Sequence, residues 1–168
     1  DQLQNQKYIE PENQETKSLY VVTYGNNLDN VLKQAQKVQN LALSDEKIIG
    51  VNSISSIVLD QKTQEERINR WNSFWKQHSL VSIEKEIVQN ANALGFVDNT
   101  YEDFAKQWSK SYTAIDLKTY QEVNENLINE FISENDGMYQ QSTVVKIPTT
   151  YREAFLQKIE SMPHTVVI

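Results

Sequence analysis

Cysteine is absent from the 168-residue sequence, which removes disulfides, thiolate metal sites and cysteine nucleophiles together. Histidine occurs only at His78 and His164, far apart and without an H-x-x-x-H partner, so neither a metal site nor another cofactor is expected. The four glycines, Gly25, Gly50, Gly95 and Gly137, are too widely spaced to form a phosphate cradle. No G-x-S-x-G elbow marks a serine nucleophile. No apolar run approaches the roughly 18 residues that a membrane helix requires. Basic residues are outnumbered, 16 against 23 acidic, for a net charge of -7. With no Lys/Arg stripe able to neutralise several phosphates, nucleic acid is not an expected partner, nor is adsorption to an anionic lipid surface. The first residues carry neither an initiator Met nor a basic and apolar leader, as expected of a fragment from a longer chain.

What is present is a globular balance, 39% hydrophobic residues over a length suited to one domain. Residues 1–17 are polar and read as an extended lead-in interrupted by Pro11. Ser18 to Tyr24 is a β-branched and aromatic strand closed by Gly25-Asn26-Asn27. From Leu28, apolar residues at Val31, Leu32, Ala35, Val38, Leu41 and Ala42 follow helical spacing, with Lys and Gln opposite. A second strand is predicted from Ile48, continuing through Ile54 and Ile57 to Leu59. Residues 61–137 then carry helical patterns: one opened by a Thr63/Glu66 capping box, one over Ser82–Leu94 with Gly95 as its C-cap, one from Thr100 through Phe104, Trp108 and Tyr112, and one over Tyr120–Phe131. Ser142–Ile147 is a third strand. A short helix capped by Thr150 and Glu153 follows, and His164–Ile168 closes as a strand. The order βαβ, helical insert, βαβ predicts an α+β fold. It is the ferredoxin-like split βαβ with an antiparallel sheet, a single domain over 18–168 carrying a large helical insertion between the second and third strands.

Carboxylates at Glu65, Glu66, Glu84, Glu86, Glu102 and Asp103 could supply an acid–base pair, but first-turn helix positions explain them more simply. A carboxylate-pair hydrolase is therefore the least favoured reading. Aromatic residues are the departure from the ordinary: Trp71, Phe74, Trp75, Phe96, Tyr101, Phe104, Trp108 and Tyr112 fall within about forty residues. About three in four are expected to form the core of the insert. Trp71, Phe74 and Trp75 fan over an arc wide enough that at least one should face a partner or ligand.

The stretch Leu19-Tyr-Val-Val-Thr-Tyr-Gly, then a helix, then Val51-Asn-Ser-Ile-Ser-Ser-Ile-Val-Leu followed by Lys62-Thr-Gln-Glu-Glu-Arg-Ile-Asn-Arg-Trp-Asn-Ser-Phe-Trp resembles the first large periplasmic loop of RND-superfamily exporters of the MMPL type. Ser53, Ser55, Ser56, Gln64 and Arg67 occupy the matching places. Val58-Leu59-Asp60 departs from the commoner Leu-Pro-Ser turn. The resemblance implies a non-enzymatic, porter-like domain on the periplasmic side of a bacterial inner membrane, in an exporter driven by protons. Its implied partners are the exporter's second periplasmic domain, its membrane helices and an apolar or lipid-like cargo. On this reading Trp71, Phe74, Trp75, Trp108 and Tyr112 are candidate cargo contacts, with Arg67 and Arg70 as candidate anchors for an acidic head group. The alternative is a free-standing extracytoplasmic adaptor whose aromatic insert binds a protein.

Overall fold

The computed structural model describes residues 15–78, 80–96, 103, 106–107 and 110–168. Among the described residues it is mixed α+β, with a five-stranded antiparallel sheet and five α-helices. The elements are β1 (Thr16–Gly25), α1 (Leu28–Leu43), β2 (Gly50–Ser53), α2 (Gln61–Gln77), α3 (Leu80–Ala93), α4 (Leu117–Phe131), β3 (Ile132–Asn135), β4 (Met138–Pro148), α5 (Arg152–Glu160) and β5 (Thr165–Val167). Two compact units emerge: one holds the chain up to Asp60 together with Leu117–Ile168, the other is Gln61–Asp116.

In the sheet-bearing unit the strand order is β2-β4-β1-β5, and β3 pairs with the first half of β4. β1 and β4 run antiparallel over ten residue pairs, from Thr16 opposite Pro148 to Gly25 opposite Tyr139. Both strands alternate side chains between two faces, as a strand must. Leu19 and Val21 of β1 and Val145 and Ile147 of β4 face a layer made by Val38 and Ala42 of α1 and by Phe155 and Ile159 of α5. A second apolar cluster joins Leu32 of α1, Ile54 and Val58, Ile128 and Phe131 of α4, and Ile132 of β3. Next to the first cluster along the same strands lie buried Thr23, Gln141 and Thr143. They are knitted to β2 through the Ser53 hydroxyl, 3.2 Å from that of Thr143, and to the turn after β2 through Ser55, which accepts a 2.5 Å bond from the Gln141 amide.

Several local expectations change. Asn27 caps α1 by accepting from the Asn30 N–H at 2.9 Å, as its position before the apolar repeat predicted. Yet Gln34 and Gln39, read as solvent-facing, are buried. β2 stops at Ser53: the Ile54 carbonyl accepts from the N–H groups of Ile57 and Val58, so the alternation read as strand is a buried turn. α2 begins at Gln61, two residues before the expected Thr63 cap. The Thr150/Glu153 capping box is not formed, because a 3₁₀ turn over Thr149–Tyr151 leads into α5 and Glu153 pairs with Arg152 instead. α4 breaks regular geometry at Asn124. A strand, β3, follows it directly, inside residues predicted to be helical. Asp136 and Gly137, both at positive φ, close the β3–β4 hairpin as a two-residue turn. Gly95, at φ 82°, ends α3 as predicted, with the Phe96 N–H bonding the Ala91 carbonyl. Residues 1–14 of the lead-in, and most of the helix expected from Thr100, lie outside the described residues.

Candidate functional site

The aromatic face of α2 is built by helical spacing: Trp71, Phe74, Trp75 and His78 stand at i, i+3, i+4 and i+7. Trp71 and Trp75 meet edge-on with ring centroids 5.3 Å apart, and Phe74 meets Trp75 at 4.8 Å. His78 stacks on Phe74 at 4.1 Å. Its Nδ1–H donates to the Phe74 carbonyl at 2.7 Å, which fixes the ring at the helix end. Tyr112 joins from the other end of the unit, edge-on to Trp71 at 6.2 Å. Gln64 ties that segment to α2, since its side-chain amide donates to the Ile115 carbonyl at 3.0 Å and accepts from the Ile115 N–H at 2.9 Å. A primary amide that both donates to and accepts from the backbone of one residue gives Gln64 a positioning role that neither Glu nor Lys could fill.

Four of the candidate residues therefore converge: Trp71, Phe74, Trp75 and Tyr112. Arg67 and Arg70 are on α2 but exposed, with no ion pair among the described residues. Trp108 lies outside the described residues, as do Tyr101 and Phe104. The expectation that most of these rings are core is corrected. Within Gln61–Asp116, Ala91 is the only fully buried apolar residue among those described. Trp71, Trp75 and Tyr112 are half-buried, and Phe74 is 48% exposed. Among the described residues, the rings pack chiefly on one another, and their outer side stays partly exposed. Phe96, Val81 and Leu94 add further exposed apolar surface to the unit.

A second constellation went unnoticed in the sequence. Asp45, in the loop after α1, accepts at one oxygen from the Tyr151 hydroxyl at 2.7 Å and from Lys158 Nζ at 2.6 Å. Lys158 also reaches the Tyr151 oxygen at 2.8 Å. These bonds, with that from Lys158 foremost, hold the Asp45 carboxyl down at about 2, while the Asp45 contact raises Lys158. Both groups are thus locked in their charged forms, the opposite of what proton transfer near neutral pH needs. The cluster is a clamp between the α1–β2 loop and α5. Ser44 and Lys47, beside this cluster, form no nucleophile–base pair, since Ser44 Oγ donates to the Leu41 carbonyl and Lys47 lies over the Tyr151 ring.

The clamp has a pH signature. Because the Asp45 value is depressed from 3.8 to about 2, its stabilisation is complete above the unfolded value and is lost as pH falls from about 4 through 2. Asp45→Asn should cost about 1–2 kcal/mol at pH 7, after allowance for solvent screening at the half-exposed Lys158. It should also flatten the acid limb, measured as urea midpoints from pH 7 to 2. An unchanged acid limb would assign that limb to other carboxylates.

Among the described residues no group of three His, Asp or Glu side chains could hold a metal ion, and no helix is long and apolar enough to cross a membrane. The carboxylates singled out in the sequence are dispersed: Glu65 accepts from Gln61, Glu66 lies 3.8 Å from Lys62, and Asp103 pairs with Lys106. Glu102 is outside the described residues. No known protein family, curated protein or solved structure matches the chain.

Proposed function

We propose that the chain is an extracytoplasmic, porter-like domain of a proton-driven RND exporter of the MMPL type. Its aromatic unit contacts apolar or lipid-like cargo, and it docks on a second periplasmic domain and on the exporter's membrane helices. The observation that carries the reading is the partly exposed aromatic stack of α2 and Tyr112: three half-buried rings and the outward Phe74, in a unit where Ala91 is the one buried apolar residue among those described. A surface of that kind binds apolar matter or is covered by it. The strand order β2-β4-β1-β5 supports a ferredoxin-like split βαβ scaffold, since β1-α1-β2 and β4-α5-β5 each bracket a strand from the other half. The helices of residues 61–116 stand as an insertion after β2. On the sheet face away from α1 and α5, Tyr20, Val166 and Ile168 are exposed, which supports docking through that face.

Tryptophan fluorescence titrated with palmitate, short-chain phosphatidylglycerol and a neutral apolar dye tests the proposal. A saturable change is expected, weakened roughly tenfold, or about 1.4 kcal/mol, in Phe74→Ala and in Trp71→Phe. A flat response across the panel, with a folded circular dichroism spectrum, would remove cargo contact from this unit.

A further inference from the structure

In the sheet-bearing unit, Leu19, Val21, Val145 and Ile147 face α1 and α5, so strand alternation places the even-numbered residues of β1 and β4 on the opposite side of the sheet. Tyr20, Val22 and Tyr24 stand there beside Ser142, Val144 and Lys146. β5 adds Val166, opposite Val22, and the chain then reaches Ile168, whose backbone exchanges both hydrogen bonds with Tyr20.

Two properties separate this face from a solvated one. It is apolar where it is open: Tyr20 is 51% exposed, Val166 45% and Ile168 77%. It is also stripped of charge. The sequence holds 23 acidic residues, yet no strand residue on this face is one of them, and Lys146 is its single cation. An antiparallel sheet turned to water carries polar residues on that side, whereas tyrosines and branched aliphatics without charges make up the core of an interface.

We propose that this face closes on the same face of a second copy of this chain, as a two-fold sandwich of sheets. The inference rests on the docking reading above for the use of this face, and it names the occupant. A flat sheet is best covered by another, about 10 Å away with strands nearly aligned. The charges then select the copy. Val22 and Ser142 are cross-strand partners at the middle of the face. A two-fold axis lying between the sheets, across the strands at that pair, lays each β4 antiparallel over its copy. Lys146, four residues after Ser142, comes over Met138, four residues before it, beside the hairpin turn that holds the exposed Asp136. Tyr20 comes over Tyr24, and Val166 over Val166. The one cation of the face thus meets a carboxylate of the copy, while the two Lys146 side chains stay at opposite ends. Four strands wide and seven residues long, the face measures roughly 20 by 23 Å. Two such faces remove on the order of 1,000 Å² from water, the lower edge of what a specific interface needs.

Sedimentation velocity of the whole chain over about 5 to 500 µM, with circular dichroism to verify folding, is the test. A reversible monomer–dimer equilibrium is expected, with a Kd on the order of 10–100 µM for an interface of this size. Tyr20→Glu and Ile168→Glu should each weaken it at least roughly tenfold, since each places an unpaired carboxylate between the sheets. Leu43→Glu, at an exposed apolar residue of α1, should leave it unchanged. Lys146→Glu should weaken it and Lys146→Glu/Asp136→Lys restore it, as the two-fold order requires. A chain monomeric throughout would overturn the inference and leave the face to a different domain, with the docking reading intact. A dimer that Leu43→Glu breaks and Tyr20→Glu spares would overturn it as well, and one without charge-swap rescue would overturn the two-fold order. A dimer through this face, in a chain whose tryptophans ignore apolar ligands, would sustain the inference and sink the cargo reading.

Discussion

Phe155→Ala is expected to lower the unfolding free energy by about 3–5 kcal/mol, the range for truncating a fully buried phenylalanine. Phe155 has no solvent exposure and is the largest of the completely buried side chains. It stands on α5, whose nine residues are too few to hold a helix in water unaided. Only Phe155 and Ile159 of that helix are buried, with Leu156 packed beside them, so these are its main apolar anchors on the sheet. Their neighbours Leu19, Val21, Val145 and Ile147 come from the two central strands. A cavity left by the ring would therefore open at the middle of the sheet, where strand backbones cannot collapse inward to fill it. The loss would spread to β5, which follows α5 and has only three residues of its own to pair with β1. Against a typical domain stability of about 5–15 kcal/mol, urea denaturation should show a large midpoint drop with little change in slope. Phe74→Ala, on a half-exposed ring, should shift it by less than about 1 kcal/mol. A Phe155→Ala midpoint within that smaller range would mean that α5 is not docked through this residue.

Elements whose physics is local could be read from the sequence, and those fixed by distant partners could not. β1 and α1 carry unbroken periodic patterns and clear end signals at Gly25 and Asn27, and both formed where predicted. α3 and its Gly95 cap did so as well. β3 had almost no signal, since Ile132-Ser-Glu-Asn offers one apolar residue; pairing with β4 makes it a strand. Asn135-Asp136-Gly137 did announce a hairpin turn, but after a helical run the same residues read as a helix stop. Ile54 and Ile57 mimicked strand alternation because a tight turn that buries Ile54 and Val58 uses similar spacing. The aromatic run could be found from composition and spacing, and Trp71, Phe74 and Trp75 of α2 do converge with Tyr112. Their half-exposure could not be foreseen, because it depends on which side chains from elsewhere in the chain reach them. Asp45 with Lys158, separated by 113 positions, is a product of tertiary placement.

Ser55→Ala should destabilise by about 1–3 kcal/mol although it removes a single oxygen, because the cost falls on Gln141. Gln141 is fully buried, its amide nitrogen donates to Ser55 Oγ, and its Oε1 has no partner among the described residues. Without the serine hydroxyl, both ends of a buried amide are unsatisfied, a worse condition than having no amide there. Gln141→Leu, close in volume, should accordingly stay within about 1 kcal/mol of the parent. The two changes together should then cost less than their sum by about 1–2 kcal/mol, a coupling that a double-mutant cycle of urea midpoints measures directly. The placement explains why the network is polar: Gln141 pairs across the sheet with Thr23 on one side and Ile132 on the other, and Thr143 opposes Ser53. A slip of β2 by one residue would separate the Ser53 and Thr143 hydroxyls and strand both. Apolar side chains at these positions would tolerate such a slip, so the hydroxyl pairs fix the register of the short β2 against β4. Ser55→Ala with a parental midpoint, or strict additivity in the cycle, would show instead that Gln141 is satisfied without Ser55 and that the register rests on the apolar clusters alone.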